Sequence, residues 1–297
     1  MMQPIKDIGM PCPVCGNNNH TPSYRVKGYL YYLCNSCRSL FLDPASVHED
    51  VSLYGKDYFE KDLKKDMRGY AGYAAQSLPL RMYFRRLLKY VKAYIPPDSP
   101  SLLDVGCAYG FFLDEAKKLG MSVHGVDISE DAINWVKERL RIEGTVGSIS
   151  EAPIGPFDVI TAIEVIEHIN NPSSFLNSIR ERLREDGIVV IHTAAVDSQT
   201  ARLFGRSWWY LNPPDHCIIY SRDSLRSIVS RHGFEILEHR LLWLYWIGLN
   251  NLIWKFARLT GIRGIGWIAT KLPSLPLPVP QFCAQLLIAR KKGESNL

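Results

Sequence analysis

Three groups of residues are spaced for chemistry. The first is the run from Asp104 through Gly106 and Cys107 to Gly110, with Asp127 following about one helix and one strand later. Glycines in a turn let a ligand approach the main chain closely, and the N–H groups that open a following helix favour polar or negative ligand atoms. An acidic side chain placed like Asp127 can accept both hydrogen bonds of a ribose diol. The second group is Glu164, Glu167 and His168, in the pattern E-x-x-E-H. Two carboxylates and an imidazole so close in sequence can coordinate a divalent ion that acidifies and orients a hydroxyl. Without a metal, His168 can serve as a general base, since an imidazole titrates near neutral pH. The third group is two CxxC pairs, Cys12 with Cys15 and Cys34 with Cys37. Zinc takes four soft ligands in a tetrahedron, and each CxxC turn supplies two thiolates from one tight loop. A site closed by four cysteines is structural, with no open position for catalysis.

These residues need elements to carry them. SLLDV (101–105) reads as a buried strand and FFLDEAKKLG (111–120) as a short amphipathic helix stopped by Gly120, which puts the glycines on the turn between them. MSVHGVDI (121–128) is the next strand and ends at Asp127. FDVITAI leads as a strand into the E-x-x-E-H loop, NPSSFLNSIRERLRED follows as a helix, and GIVVIHT is another strand. Strands alternating with helices give an α/β fold. Upstream, a basic helix over 80–95 carries Met82, Leu87, Leu88, Val91 and Ile95 as its apolar stripe and ends before Pro96 and Pro97. Tyr54, Tyr58, Tyr70 and Tyr73, in the stretch before it, are candidates for a pocket mouth.

The spacing D-x-G-x-x-x-G followed by GVDIS departs from the GxGxxG dinucleotide fingerprint. It resembles that of class I S-adenosylmethionine-dependent methyltransferases over residues 98–240 and the final strand. The resemblance implies a Rossmann-like sheet of seven strands, closed by an antiparallel hairpin. It also implies that the loop holding Asp104, Gly106, Cys107 and Gly110 wraps the methionine part of S-adenosylmethionine. Asp127 and Ile128 would then lie at the ribose, Ser148 and Ile149 at the adenine, and Glu164 beside the cofactor. The E-x-x-E-H stretch is similar to that of quinone-biosynthesis catechol O-methyltransferases and of methyltransferases acting on the terminal ribose of small RNAs. Both groups bind a metal there. For the RNA group this implies a later histidine that completes an Mg²⁺ or Mn²⁺ site with Glu164, Glu167 and His168. His216 is the candidate by order and His192 a poorer one. Small-molecule relatives carry a similar segment with no demonstrated metal, where the glutamate positions the cofactor or caps the loop. Catalytic candidates are therefore Glu164, His168 and His216.

Composition bounds the partners. The chain is 46% hydrophobic and 22% charged with a net charge of +5, which admits an anionic ligand or membrane surface without specifying nucleic acid. Met1 to Gly9 lacks the apolar core of an export signal, no run of 18 uncharged apolar residues exists, and the paired cysteines suit a reducing compartment. The expected setting is cytoplasmic, with peripheral contact at the inner face of the membrane. After the fifth core strand come Trp208, Trp209, Tyr210, Asp215 and His216, placed where open α/β sheets bind ligands. Arg202, Arg206 and Arg222 in the same region are balanced in part by Asp215 and Asp223. Residues 241–280 hold Trp243, Trp246, Trp254 and Trp267, with Lys255, Arg258, Arg263 and Lys271 and no acidic residue. Such a segment can lie on a membrane or cover a greasy substrate; a helical lid or dimer face is the alternative.

The expected organisation is a zinc ribbon over 1–45, linking and cap helices over 46–97, a methyltransferase core over 98–240 and 281–292, and an insertion over 241–280. The expected activity is methyl transfer to a small or lipid-linked acceptor, at a hydroxyl oxygen. The alternatives are a sugar C-methyltransferase, an RNA methyltransferase or a non-catalytic scaffold that keeps the cofactor fold. Modest charge and the greasy insertion weigh against RNA. Oligomeric state is left open.

Overall fold

A computed structural model describes residues 10–43, 73–95, 98–253 and 272–293. Tyr54, Tyr58, Tyr70, Trp254 and Trp267 lie outside the described residues, as do Lys255, Arg258, Arg263 and Lys271.

Strands as uniformly apolar as VITAI and IVVI are stable only where both faces of a sheet are covered. β4 (Ser101–Val105), β5 (Ser122–Asp127), β6 (Glu143–Val146), β7 (Phe157–Ile163) and β8 (Leu183–Ala194) meet that demand as a parallel set. β10 (Phe234–Gly248) and β11 (Pro276–Lys291) complete a mixed seven-stranded sheet in the order β10-β11-β8-β7-β4-β5-β6. β11 is antiparallel to both its neighbours.

Alternate side chains feed two cores. Leu102, Val159, Val190 and Leu286 face α1 (Ser77–Val91), α2 (Phe111–Lys118) and α3 (Glu130–Leu140). Leu103, Ile160, Val189 and Leu287 face α4 (Pro172–Arg182) and α6 (Arg222–Arg231) on the other side. α5 (Gln199–Phe204) is a short helix after β8.

α1 begins before residue 80 and buries Leu80, Tyr83, Phe84, Leu87, Leu88 and Val91. Met82, expected on that stripe, is only half-buried, because the 3.6-residue period runs through the two aromatics beside it. Ile95 is half-buried as well, lying past a 3-10 turn over Lys92–Tyr94. α1 is clasped to α2 by charge: Arg81 contacts Asp114 and Glu115, and Arg85 Nε donates to Glu115 Oε2 at 2.5 Å.

The N-terminal segment is a small sheet of its own. β1 (His20–Val26) and β2 (Tyr29–Cys34) form a hairpin across Lys27 and Gly28, whose φ values of 50° and 88° are those of a type I′ turn. β3 (Leu40–Leu42) pairs with β2, and β9 (Ile218–Ile219) from the second half of the chain pairs with β3. The ribbon expected to end at residue 45 thus borrows its fourth strand from the core.

The insertion expected over 241–280 begins later and ends earlier than its sequence suggested. β10 continues to Gly248 and β11 starts at Pro276, with Leu244 to Gly248 laddered against Pro280 to Pro276. The cause is the run LLWLYWIG, whose aromatic and branched residues extend the hairpin. β11 pairs with β8 only from Ala284 onward, so the hairpin extends past β8. There Trp243 is 68% exposed and lies 6.1 Å from the Phe282 ring, while Trp246 packs against the core. Among the described residues, no helix is long and apolar enough to cross a membrane.

Burial raises the Glu115 carboxyl, but Arg85, Arg81 and Lys118 outweigh it and hold the group at about 2, against 4.5 for an ordinary glutamate. A depressed carboxylate contributes stability that is complete above the ordinary value and lost as pH falls toward the folded one. Glu115→Gln is therefore expected to cost about 1–3 kcal/mol at neutral pH and to flatten the loss of stability between about pH 4.5 and 2. Urea midpoints across that range check it.

Candidate active site

The order of the sheet reverses between β4 and β7, and ligands in open α/β sheets bind in the crevice at such a point. The two loops that leave these strands touch. Gly106, after β4, has φ +68°, and a Cβ there would stand 2.5 Å from Val165 Cγ2 in the loop after β7. Gly110, with φ +67°, opens α2; a Cβ there would lie 2.8 Å from Val136 Cγ2 on α3. Both positions require glycine for conformation and for space.

Asp127 ties this loop down. Its Oδ2 accepts the Ala108 N–H at 2.8 Å and its Oδ1 the Ser129 N–H at 2.9 Å. Burial pushes its pKa up, and those two N–H groups pull against the shift. Asp104 is buried beneath the loop, where Thr161 Oγ1 donates to its Oδ1 at 2.6 Å. Burial pushes Asp104 up to about 7 in spite of that bond, so a cationic ligand nearby would favour its charged form.

The remaining cofactor candidates divide. Cys107 is buried, and a Cβ on Gly125 of β5 would stand 2.7 Å from its Sγ, so the thiol packs under the loop against the strand. Ile128 is 37% exposed just beyond Asp127, and Ile149 is buried in the core. The Ser148 N–H and hydroxyl both donate to Glu151 Oε2 at 2.7 Å, which makes Ser148 a turn anchor in this geometry. Tyr73 stacks on Phe111 at 5.5 Å and meets Tyr109 edge-on at 5.6 Å, while Tyr109 stacks on Trp135 at 4.6 Å. Tyr73 was a pocket-mouth candidate from sequence, whereas Tyr109, an aromatic between the two loop glycines, and Trp135, on α3, were not.

Beyond β7 the E-x-x-E-H residues part company. Glu164 has φ +56°, a left-handed conformation that costs about 1–2 kcal/mol for a residue with a side chain. Its Oε1 lies 2.8 Å from His192 Nδ1, and His192 Nε2 lies 2.6 Å from the Tyr83 hydroxyl. Glu167, fully buried, accepts the Thr193 hydroxyl at 2.9 Å on Oε2. The Tyr210 hydroxyl contacts both acids, Glu164 Oε2 and, at 2.6 Å, Glu167 Oε1.

A phenol has one proton to donate, so one of the two carboxyls must carry its own. Burial, followed by the negative charge of Glu164, pushes Glu167 up to about 8. Burial opposes ionisation of Glu164 as well, but His192 and Tyr210 hold it below the usual carboxylate range. The Tyr210 hydroxyl bridges the two acids, and their opposed shifts make Glu167 the one that holds a proton more readily.

Two imidazoles complete the cluster. His168 Nδ1 donates to the Asp215 carbonyl and His216 Nδ1 to the Tyr210 carbonyl, each at 2.7 Å. The rings sit 4.8 Å apart, edge to face. A carbonyl only accepts, so both Nδ1 atoms carry hydrogen. Burial lowers His168, and burial together with His168 lowers His216 to about 3. Both rings are therefore neutral, with Nε2 as the basic atom.

The ligand atoms of Glu167, His168 and His216 lie within 4.8 Å of one another. Glu164, expected as a fourth ligand, stands outside this group because its backbone turns it toward His192, the histidine that order had ranked second. These three are the residues that would hold a divalent ion. Two imidazoles suit Mn²⁺ better than Mg²⁺, which prefers oxygen, and both oxygens of Glu167 are already in hydrogen bonds.

The four N-terminal cysteines also lie within 4.8 Å of one another, with Cys12 Sγ 3.7 Å from Cys37 Sγ and Cys15 Sγ 3.5 Å from Cys34 Sγ. A zinc tetrahedron with bonds of about 2.3 Å has sulfur–sulfur edges of about 3.8 Å, so the set fits a closed four-thiolate site. The contact between Cys12 and Cys37 pushes the first thiol up and pulls the second down, as two sulfurs sharing one proton do. Elsewhere, Trp208 and Tyr210 are buried and Trp209 is 52% exposed. Arg222 pairs with Asp197, not with the acids that sequence proximity suggested.

A glycine loop after β4, an acid closing β5 and a single reversed strand, β11, define the class I S-adenosylmethionine-dependent methyltransferase fold. A profile of the methyltransferase domain family matches residues 77–239, more than half of the chain, and the chain belongs to that family. The mitochondrial ubiquinone biosynthesis O-methyltransferase of Schizosaccharomyces pombe is 35% identical over 101 residues, 31% of this chain and 37% of that protein. The ubiquinone biosynthesis O-methyltransferase of Caulobacter vibrioides is 31% identical over 109 residues, 34% of this chain and 43% of its own. The chain thus spans less than half the length of these relatives. Among solved structures, a putative methyltransferase from Bacillus halodurans superimposes with a TM-score of 0.53 at 15% identity, covering 71% of this chain and 99% of that one. Magnesium protoporphyrin IX methyltransferase from Synechocystis with bound SAH gives 0.50 at 12% identity, covering 77% and 91%.

Asp127→Asn keeps the shape but removes the charge that ties the loop. It is expected to weaken S-adenosylhomocysteine binding by about tenfold or more, the scale of a charged hydrogen bond. Calorimetric titration checks this, and an unchanged Kd would remove Asp127 from the cofactor site.

Proposed function

We propose that the chain transfers the methyl group of S-adenosylmethionine to a hydroxyl oxygen of a small or lipid-linked acceptor, in the crevice between the glycine loop and the E-x-x-E-H loop. The observation that carries this reading is the pair of facing imidazoles, 4.8 Å apart, each bonded through Nδ1 to a main-chain carbonyl. His168 and His216 are locked with Nδ1 toward carbonyls, on and opposite the loop that touches Gly106; burial and the neighbouring ring lower His216 to about 3, which leaves His168 as the candidate base. The sulfonium of the cofactor supplies an already activated methyl group. What the residues add is alignment and a place for the proton. The acceptor oxygen forms a bond to the methyl carbon as the carbon–sulfur bond breaks, and the hydroxyl proton passes to an imidazole Nε2. Asp127 would hold the ribose and Asp104 would face the cationic end. The four-cysteine site would hold structural zinc.

The names of the matched relatives support an oxygen acceptor, and the exposed Trp243 and Phe282 on the projecting hairpin support a greasy one. The same residues, together with the absence of acidic residues over 241–280, support a peripheral position at a membrane.

Incubating the purified chain with methyl-labelled S-adenosylmethionine and a cell extract tests the reading. Label is expected in the organic phase for a lipid-linked acceptor, or in small nuclease-resistant solutes for a soluble one. Base-stable label on carbon, or nuclease-sensitive label, would overturn the oxygen and small-acceptor assignment respectively. His168→Asn is expected to lower turnover about 10²–10⁴-fold with S-adenosylhomocysteine binding retained, the range for loss of a general base.

A further inference from the structure

The ribbon is fastened to the loop that holds both imidazoles. The carbonyls that accept from His168 and His216 belong to Asp215 and Tyr210, in a segment of turns between α5 and β9. From the sheet side the segment is held at Tyr210, by Glu164 and Glu167; further fastenings come from the ribbon. Tyr31 of β2, fully buried, donates its hydroxyl to the His216 carbonyl at 2.7 Å. Lys27, at the tip of the ribbon hairpin, donates to Asn212 Oδ1 at 2.7 Å, and Asn212 Nδ2 donates to Asp215 Oδ2 at 2.8 Å. The Leu42 N–H of β3 donates to the Cys217 carbonyl, and the Cys217 N–H in turn to the Glu167 carbonyl, both at 2.8 Å.

The cysteine knuckles grip the element that follows. The Cys37 carbonyl accepts the hydroxyl of Ser221, the N-cap of α6, at 2.8 Å, and the Val14 carbonyl accepts from Arg231 at the helix end. Each knuckle thus holds one end of α6, and the metal site joins the two knuckles.

We propose that the four-cysteine ribbon is a positioning element of the acceptor side, which sets the tautomer and placement of the His168–His216 pair through Tyr31 and Lys27. The proposal rests on the reading of those imidazoles as acceptor-side groups. It assigns Tyr31 and Lys27 as positioning residues and makes the zinc site a condition of acceptor-side order, while the cofactor loop stands without it.

The test uses the full chain labelled with ¹⁵N-histidine, its two ring signals identified by loss in His168→Asn and His216→Asn. The intact protein is expected to show both rings as the Nδ1–H tautomer, as their bonds to the Asp215 and Tyr210 carbonyls require. Tyr31→Phe and Lys27→Met should keep one zinc per chain. They should move or broaden those ring signals and raise amide exchange over residues 208–217 by about tenfold, the effect of losing one hydrogen bond, with the Kd for S-adenosylhomocysteine changed by less than about twofold. Removing zinc with a chelator should produce the same pattern more strongly. Unaltered ring signals and exchange in both variants would overturn the proposal. So would a zinc-free chain that loses S-adenosylhomocysteine binding in step with acceptor-side order, because the ribbon would then support the whole fold. These readouts need no turnover, so a failure of the methyl-transfer reading, seen as an active His168→Asn, is distinguishable from a failure here.

Discussion

Two carboxyl groups share one phenol at the carboxyl ends of β7 and β8, and most of the proposed acceptor side follows from that. Glu167 is fully buried and its carboxyl is pushed up by burial and by Glu164, and the Tyr210 hydroxyl between the two acids, with the Thr193 hydroxyl on Glu167, leaves neither carboxyl unpartnered. This fixes Tyr210 against the sheet. Its carbonyl then orients His216, and the loop returning from it supplies the Asp215 carbonyl that orients His168. A short acidic motif thereby dictates where residues more than forty positions away must lie.

The two sides of the crevice are built on different principles. The cofactor side is local: strand, glycine turn, helix and closing acid come from one continuous stretch, and its contacts are main-chain N–H groups and a nearby carboxylate. The acceptor side is assembled from β2, the loop after β7, the loop before β9 and α1, which contributes Tyr83. The first kind of site is stiff by sequence proximity. The second is only as well ordered as the packing between distant segments.

That difference explains what could be read in advance. The turn at Gly106 and Gly110 and the acid that closes β5 were legible because a φ requirement and a strand end recur at fixed spacing. The alternation of strands and helices gave the sheet, since buried parallel strands cannot hide their composition. The antiparallel last strand came from the resemblance. The separation of Glu164 from Glu167 was not legible, because it turns on one left-handed residue that its type does not announce. Nor was the choice of His192 over His216 as the partner of Glu164, which depends on the register of β7 against β8 that sets Ile163 beside His192. The joining of β3 to β9 escaped too: a two-residue strand carries no periodicity to detect.

The place of β11 has a consequence for how the molecule is made. It lies between β8 and β10, both of which leave the ribosome before it, and its register runs against β8 from Ala284 to Arg290. Until residue 290 has been synthesised, β8 is an open edge of a half-built parallel sheet, with Ile188 to Ile191 able to recruit the wrong strand. The nascent chain must therefore carry an unfinished hydrophobic edge from the completion of β8 at Ala194 until Arg290 has been added. Its exposure to chaperones, and to association with other nascent chains, is set by the speed at which β11 arrives, not by the stability of the finished sheet.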